Sequence, residues 1–176
     1  MKKYRYIWLM VCFLFIGISV NAQGYIGGKP HSYDKELRII KTNKTKDALV
    51  TLQCNDCEML SKNYSYIDSI NQYPLYFGKP ISVNLNTTNS GEWLNLENGN
   101  KMWRLIIYCP KAKSISLHFN QFWLPQGSTF YVFSADKSTF LGGYTSGINN
   151  GTKFKPKEFY SGIIKSEKII IEYFEP

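Results

Sequence analysis

Two histidines, three cysteines beyond residue 22 and a thin scatter of carboxylates are the side chains through which this 176-residue chain could do chemistry. A hydrolase needs a nucleophile, a base and a group that orients the base. His31 stands in Pro30-His31-Ser32, near the start of the chain, and is expected to be mobile and solvated. His118 falls on the polar side of an alternating run and is also expected to be solvated. No Gly-x-Ser-x-Gly elbow occurs. The carboxylates of the second half are Glu92, Glu97, Asp136, Glu158, Glu167, Glu172 and Glu175. Most stand beside turns or at strand edges, where solvation is expected rather than the pairing that glycoside hydrolysis requires. Cys54-Asn55-Asp56-Cys57 is a C-x-x-C without the second pair or the histidines of a zinc site. It also lacks the βαβ setting of a thioredoxin-like redox motif. With Cys109 it predicts one disulfide and one free or buried thiol, the pairing left open. Metal constellations and phosphate-binding glycine loops are missing, so no metal or cofactor is expected and no catalytic residue is assigned.

The elements around these residues are better defined. Lys2, Lys3 and Arg5 precede an apolar run from Ile7 to Val20, and Val20-Asn21-Ala22 offers small residues before Gln23. That is the pattern of a signal peptide over 1–22, cleaved between Ala22 and Gln23, and the run is short for a membrane span. Export is therefore expected, to the periplasm, the cell surface or the medium. Cleavage removes three of the 21 cations and none of the 13 acids, so the formal charge falls from +8 to +5. Lys153, Lys155 and Lys157 alternate in one stretch, read as a solvated strand edge or loop. No dense basic face or nucleic-acid module accompanies them, which argues against nucleic acid as a partner.

Residues 23–72 are polar and mixed, with short strand candidates at 37–40 and 49–52 and a short helix expected over 58–70. Residues 73–176 carry strand-like runs at 81–85, 101–109, 114–123, 129–134 and 163–174. Turn signals separate them, among them Asn98-Gly99-Asn100 and Leu124-Pro125-Gln126-Gly127. Runs of this length and spacing predict an all-β fold, an antiparallel β-sandwich of jelly-roll type, over 73–176. Period two puts Trp103, Leu105, Ile107 and Cys109 on one face, and Ile115, Leu117 and Phe119 on another. Ile169, Ile171 and Tyr173 alternate with Ile170, Glu172 and Phe174. Runs that are apolar on both faces predict central strands covered twice. The many aromatics, Trp93, Trp103 and Trp123 among them, are expected mainly in the core. An exposed subset would suit a protein partner or, as the alternative, a carbohydrate or cell-surface polymer.

Residues 91–154 also carry an ordered set of motifs. They run through Gly91 and Trp93, Asn98-Gly99, Trp103-Arg104-Leu105, Pro110 and Ala112, Leu124-Pro125-Gln126-Gly127, Tyr131-Val132-Phe133-Ser134, Asp136-Lys137 and Gly142 to Thr145. This order resembles the N-terminal pro-region of secreted bacterial lysyl endopeptidase-like serine proteases. The ending Ile169 to Pro176 resembles the end of that pro-region, and Ile81 to Leu85 its first core strand. The resemblance implies a propeptide that assists folding of a trypsin-like protease domain, in cis or in trans, and holds it latent. The triad would belong to the catalytic domain, which in the family begins where this sequence ends. Gly91, Trp93, Gly99, Trp103, Arg104, Leu124, Pro125, Gly127 and Thr145 are then expected to serve fold integrity. Cys54 and Cys57 fall outside the family pattern.

Overall fold

The computed structural model describes residues 27–35, 37, 39–44, 48–53 and 78–176. The signal segment 1–22, the pair Cys54 and Cys57, and the helix expected over 58–70 lie outside the described residues. The chain is all-β. Its strands are β1 Ile39–Lys44, β2 Leu49–Thr51, β3 Glu92–Leu96, β4 Lys101–Tyr108, β5 Ile115–Phe122, β6 Thr129–Ser134, β7 Phe140–Tyr144, β8 Lys157–Ile164 and β9 Lys168–Glu175. One sheet runs β1-β3-β4-β9-β6-β7 with β2 added on β4, and β5 pairs with β8 in a second sheet. Every pairing is antiparallel except β2 with β4, which is parallel and departs from the antiparallel expectation.

Local chemistry fixes the corners. The Asn98-Gly99 turn closes the β3–β4 hairpin, with the Gly99 N–H on the Leu96 carbonyl at 3.0 Å and the Leu96 N–H on the Asn100 carbonyl at 2.9 Å. Gly91 precedes β3 at φ +74°, and a Cβ there would lie 2.5 Å from the Arg104 carbonyl oxygen and 2.6 Å from the Trp103 ring. Only glycine lets this corner close over the indole.

The expected run 163–174 proves to be two strands. The Ser166 hydroxyl donates to the Lys168 carbonyl and accepts from the Lys168 N–H, and the chain passes there from the second sheet into the first. The strand expected at 81–85 does not form: the segment joins neither sheet, with Ile81 to Asn84 exposed and Leu85 partly buried against the core. The edge of β4 in line with the N-terminal strands is already filled, by β3 along 101–104 and β2 along 106–108.

The two sheets share one core. Trp103, Leu105 and Ile107 of β4, Phe130 and Val132 of β6, and Ile169 and Ile171 of β9 are buried against Phe122, Leu124 and Ile164. Phe119, Phe122 and Phe159 supply ring packing from the second sheet, with Phe122 and Phe159 stacked at 4.3 Å. Every residue of β6 is buried, the signature of a strand covered on both faces.

Tyr173 borders this core, edge-on to Trp93 at 6.0 Å. Burial, then the charge of Glu175, pushes its phenol up to about 12 from the usual 10.0. A raised phenol contributes stability that is complete below pH 10 and is lost as the pH climbs through the folded value. Urea unfolding between pH 8 and pH 11.5 should therefore show a loss across the alkaline window that Tyr173→Phe diminishes. An identical alkaline slope in both proteins would contradict this placement.

Candidate functional site

The chemistry-bearing residues gather on the outer face of the large sheet, where sequence alone did not put them. Residues 27–35 lie across β9, β6 and β7 as a strap. Its 3-10 turn, His31–Tyr33, rests on Glu172. Glu172 is wholly buried in the middle of β9, which corrects the expectation of a solvated carboxylate. One oxygen accepts the His31 N–H at 2.6 Å. The other accepts the Ser32 N–H at 3.1 Å and the Ser32 hydroxyl. Three donors from two successive residues satisfy an acid that would otherwise be costly to bury. In register, Arg104 of β4 stands on one side of Glu172 and Tyr131 of β6 on the other. Arg104 itself pairs with Glu92 of β3 at 2.7 Å.

His31 is packed, not mobile and solvated as expected. Its ring stacks on Phe174 at 4.0 Å, and its Nε2 is 3.1 Å from the Thr129 hydroxyl. Tyr33 meets Phe133 and Phe140 edge-on, at 5.3 and 6.2 Å. Its hydroxyl is buried with no hydrogen-bond partner among the described residues. Burial first, then the charges of Asp136 and Glu172, raise that phenol above its ordinary value. Lys137 closes the far end: its ammonium donates to the Ser32 carbonyl at 3.1 Å and lies 5.1 Å from the centre of the Tyr33 ring. The Tyr131 hydroxyl holds the near end through the Gly27 carbonyl at 3.0 Å. Ser32 meets the carboxylate directly, while the imidazole turns to Thr129. The three groups are therefore not in the serine–histidine–acid order of a nucleophilic relay. Their geometry is that of a buckle.

The motif residues occupy corners and core. Trp103 is buried, and its indole N–H donates to the Ser90 carbonyl at 2.8 Å. Trp93 is half-buried and donates to the Thr87 carbonyl at 3.0 Å. Leu124 is held as if by a strand: its N–H meets Asn149 Oδ1 at 2.8 Å, and its carbonyl accepts from Asn149 Nδ2 at 2.7 Å. Pro125 and Gly127 shape the next turn, closed by Ser128 N–H on the Pro125 carbonyl at 3.3 Å. Gly99 sits in the β3–β4 turn, and the Thr145 hydroxyl caps the 3-10 turn Ser146–Ile148 through the Gly147 N–H. Cys109 carries a free, buried thiol, and Cys54 and Cys57 lie outside the described residues.

The outer face of the second sheet is chemically different. His118 of β5 stacks on Tyr160 of β8 at 4.2 Å, with the rings 5° from parallel, and its Nε2 is 3.5 Å from Glu158. Tyr160 is 62% exposed and Ile163 63%. The expectation of a solvated His118 is met, with two partners added. Among the described residues no three His, Cys, Asp or Glu side chains gather as a metal site. No helix of the described residues is long and apolar enough to cross a membrane.

No family model, characterised protein or solved structure matches the chain. The buckle was missed because its two halves lie 141 residues apart, Ser32 and His31 at one end and Glu172 at the other. The available signal was Glu172 itself, an acid in the middle of a run otherwise apolar on both faces.

Proposed function

We propose that the chain is a non-catalytic exported module that binds a lysyl endopeptidase-like serine protease domain, in cis or in trans, and assists its folding or latency. The observation that carries this reading is where the ordered motifs fall. Gly91, Trp103, Leu124 and Thr145 serve hairpins, a core indole and turn caps, as a fold-defining signature would. Among the described residues the second sheet presents Tyr160, Ile163 and His118 together on its outer face, a composition suited to protein contact. Binding of such a face to the native protease, and not to its unfolded chain, favours the folded enzyme by mass action.

The test mixes the exported chain, its mature N-terminus read by intact mass, with a purified lysyl endopeptidase-type protease. Slow, saturable inhibition and a higher refolding yield are expected, both reduced by Tyr160→Ala with Ile163→Ser. Absence of both effects, or a sugar-dependent change in tryptophan emission in their place, would replace this reading with the carbohydrate-binding alternative.

A further inference from the structure

The loop between β7 and β8 displays Phe154 at 94% exposure, far beyond any other large apolar side chain of the described residues. Its position is fixed. The Thr152 N–H donates to the Lys155 carbonyl at 3.2 Å. The Lys155 N–H donates to the Thr152 carbonyl at 3.0 Å and the Thr152 hydroxyl at 3.1 Å. Lys153 and Phe154 therefore form the apex of a closed turn. Gly151, at φ +124°, precedes it where a Cβ would run into the Lys155 carbonyl, and Pro156 stiffens the exit. A turn held this way presents the ring to solvent at its apex.

The surroundings are cationic. Lys153, Lys155 and Lys157 are all exposed, and the Lys153 ammonium lies 5.9 Å from the ring centre of half-buried Trp123. The neighbouring acid, Glu158, faces His118. An aromatic at the tip, a tryptophan set back from it and lysines around both is the chemistry of the boundary between acyl chains and headgroups. A protein partner is the weaker fit. Lysine is depleted in protein interfaces, and a single convex ring offers little shape to match. Anionic headgroups reward charge without demanding a fixed geometry.

We propose that the Thr152–Lys155 turn is an interfacial anchor: Phe154 enters the headgroup–acyl boundary of an anionic lipid surface, and Lys153, Lys155 and Lys157 hold the headgroups. One ring and three cations give a weak, reversible, salt-sensitive attachment. The inference is independent of the protease reading, and neither needs the other.

The exported chain is mixed with vesicles of phosphatidylcholine, with and without phosphatidylglycerol. Binding is expected only with the anionic lipid and should fall as salt rises. Phe154→Ala should weaken it about tenfold, the effect of one unburied aromatic side chain. Lys155→Gln and Lys157→Gln should each weaken it about fivefold and flatten the salt dependence. All three sites are exposed, so thermal melts should match the parent. Phe154→Trp adds a direct readout, a blue-shifted emission on the anionic vesicles alone. Equal binding by the parent and Phe154→Ala would overturn the proposal, as would retention by an acidic protein surface without any vesicle binding.

Discussion

Replacing Glu172 by alanine is expected to lower the unfolding free energy by about 3 kcal/mol and to release the strap. Hydrogen bonds to a charged acceptor contribute roughly 1.5–3 kcal/mol each, and here two backbone donors and one hydroxyl converge on one carboxylate. The sum is not realised in full, because a released strap hands its donors back to water. Release also breaks ring packing, which raises the cost again: the His31 ring leaves Phe174, and Tyr33 leaves Phe133 and Phe140. Glu172→Gln keeps the shape but turns an amide NH2 toward donors, so it should recover less than half of the loss. Ser32→Ala removes one donor and should cost about 1 kcal/mol. Urea midpoints give the global effect, and amide exchange at His31, Ser32 and Tyr33 gives the local one. An unchanged midpoint together with unchanged exchange in Glu172→Ala would mean that the buckle holds nothing.

Trp103→Ala is the second large effect, roughly 3–5 kcal/mol, the range for deleting a buried aromatic from a packed core. Trp103 is 5% exposed and lies between Trp93 of β3 and Tyr173 of β9 in register. Its indole N–H satisfies the Ser90 carbonyl, and its ring fills the space that Gly91 leaves open. Removing it strands an acceptor and opens a cavity where hairpin and sheet meet. Against the roughly 5–15 kcal/mol that folds a typical domain, this is a large share. Trp103→Phe keeps most of the ring and loses the hydrogen bond, so about 1–2 kcal/mol is expected. Half-buried Trp93→Ala should cost less than Trp103→Ala. A melting temperature unmoved by Trp103→Ala would remove the indole from the core.

The difference between Glu172 and Trp103 marks how far the sequence could be read. Trp103, Leu105 and Ile107 follow period two within one strand, and their burial was legible from spacing alone. The turns were legible too, because glycine and proline restrict the backbone locally. β3 and β7 escaped notice for local reasons. Glu92–Leu96 is short and half polar, and Phe140–Tyr144 carries two glycines. The buckle failed to show for a different reason. A strand apolar on both faces announces two covers, but nothing local says that the second cover is a strap from the far end of the chain. Glu172 then reads as an interruption of the pattern, whereas it is the acceptor that the strap requires. The parallel pairing of β2 with β4 is equally non-local, and nothing local in Leu49–Thr51 states its direction.

The place of β9 bears on the order of assembly. The last of the described strands lies between β4 and β6 and also carries the acceptor for residues 31 and 32. Until it arrives, β4 lacks its long partner, β6 and β7 are a separate hairpin, and the strap lacks the carboxylate that binds its turn. Contacts of such long sequence separation make for slow, late closure. A sheet built this way has its middle completed only when β9 enters between β4 and β6, so the two flanking parts stay open to other partners until that strand is in place.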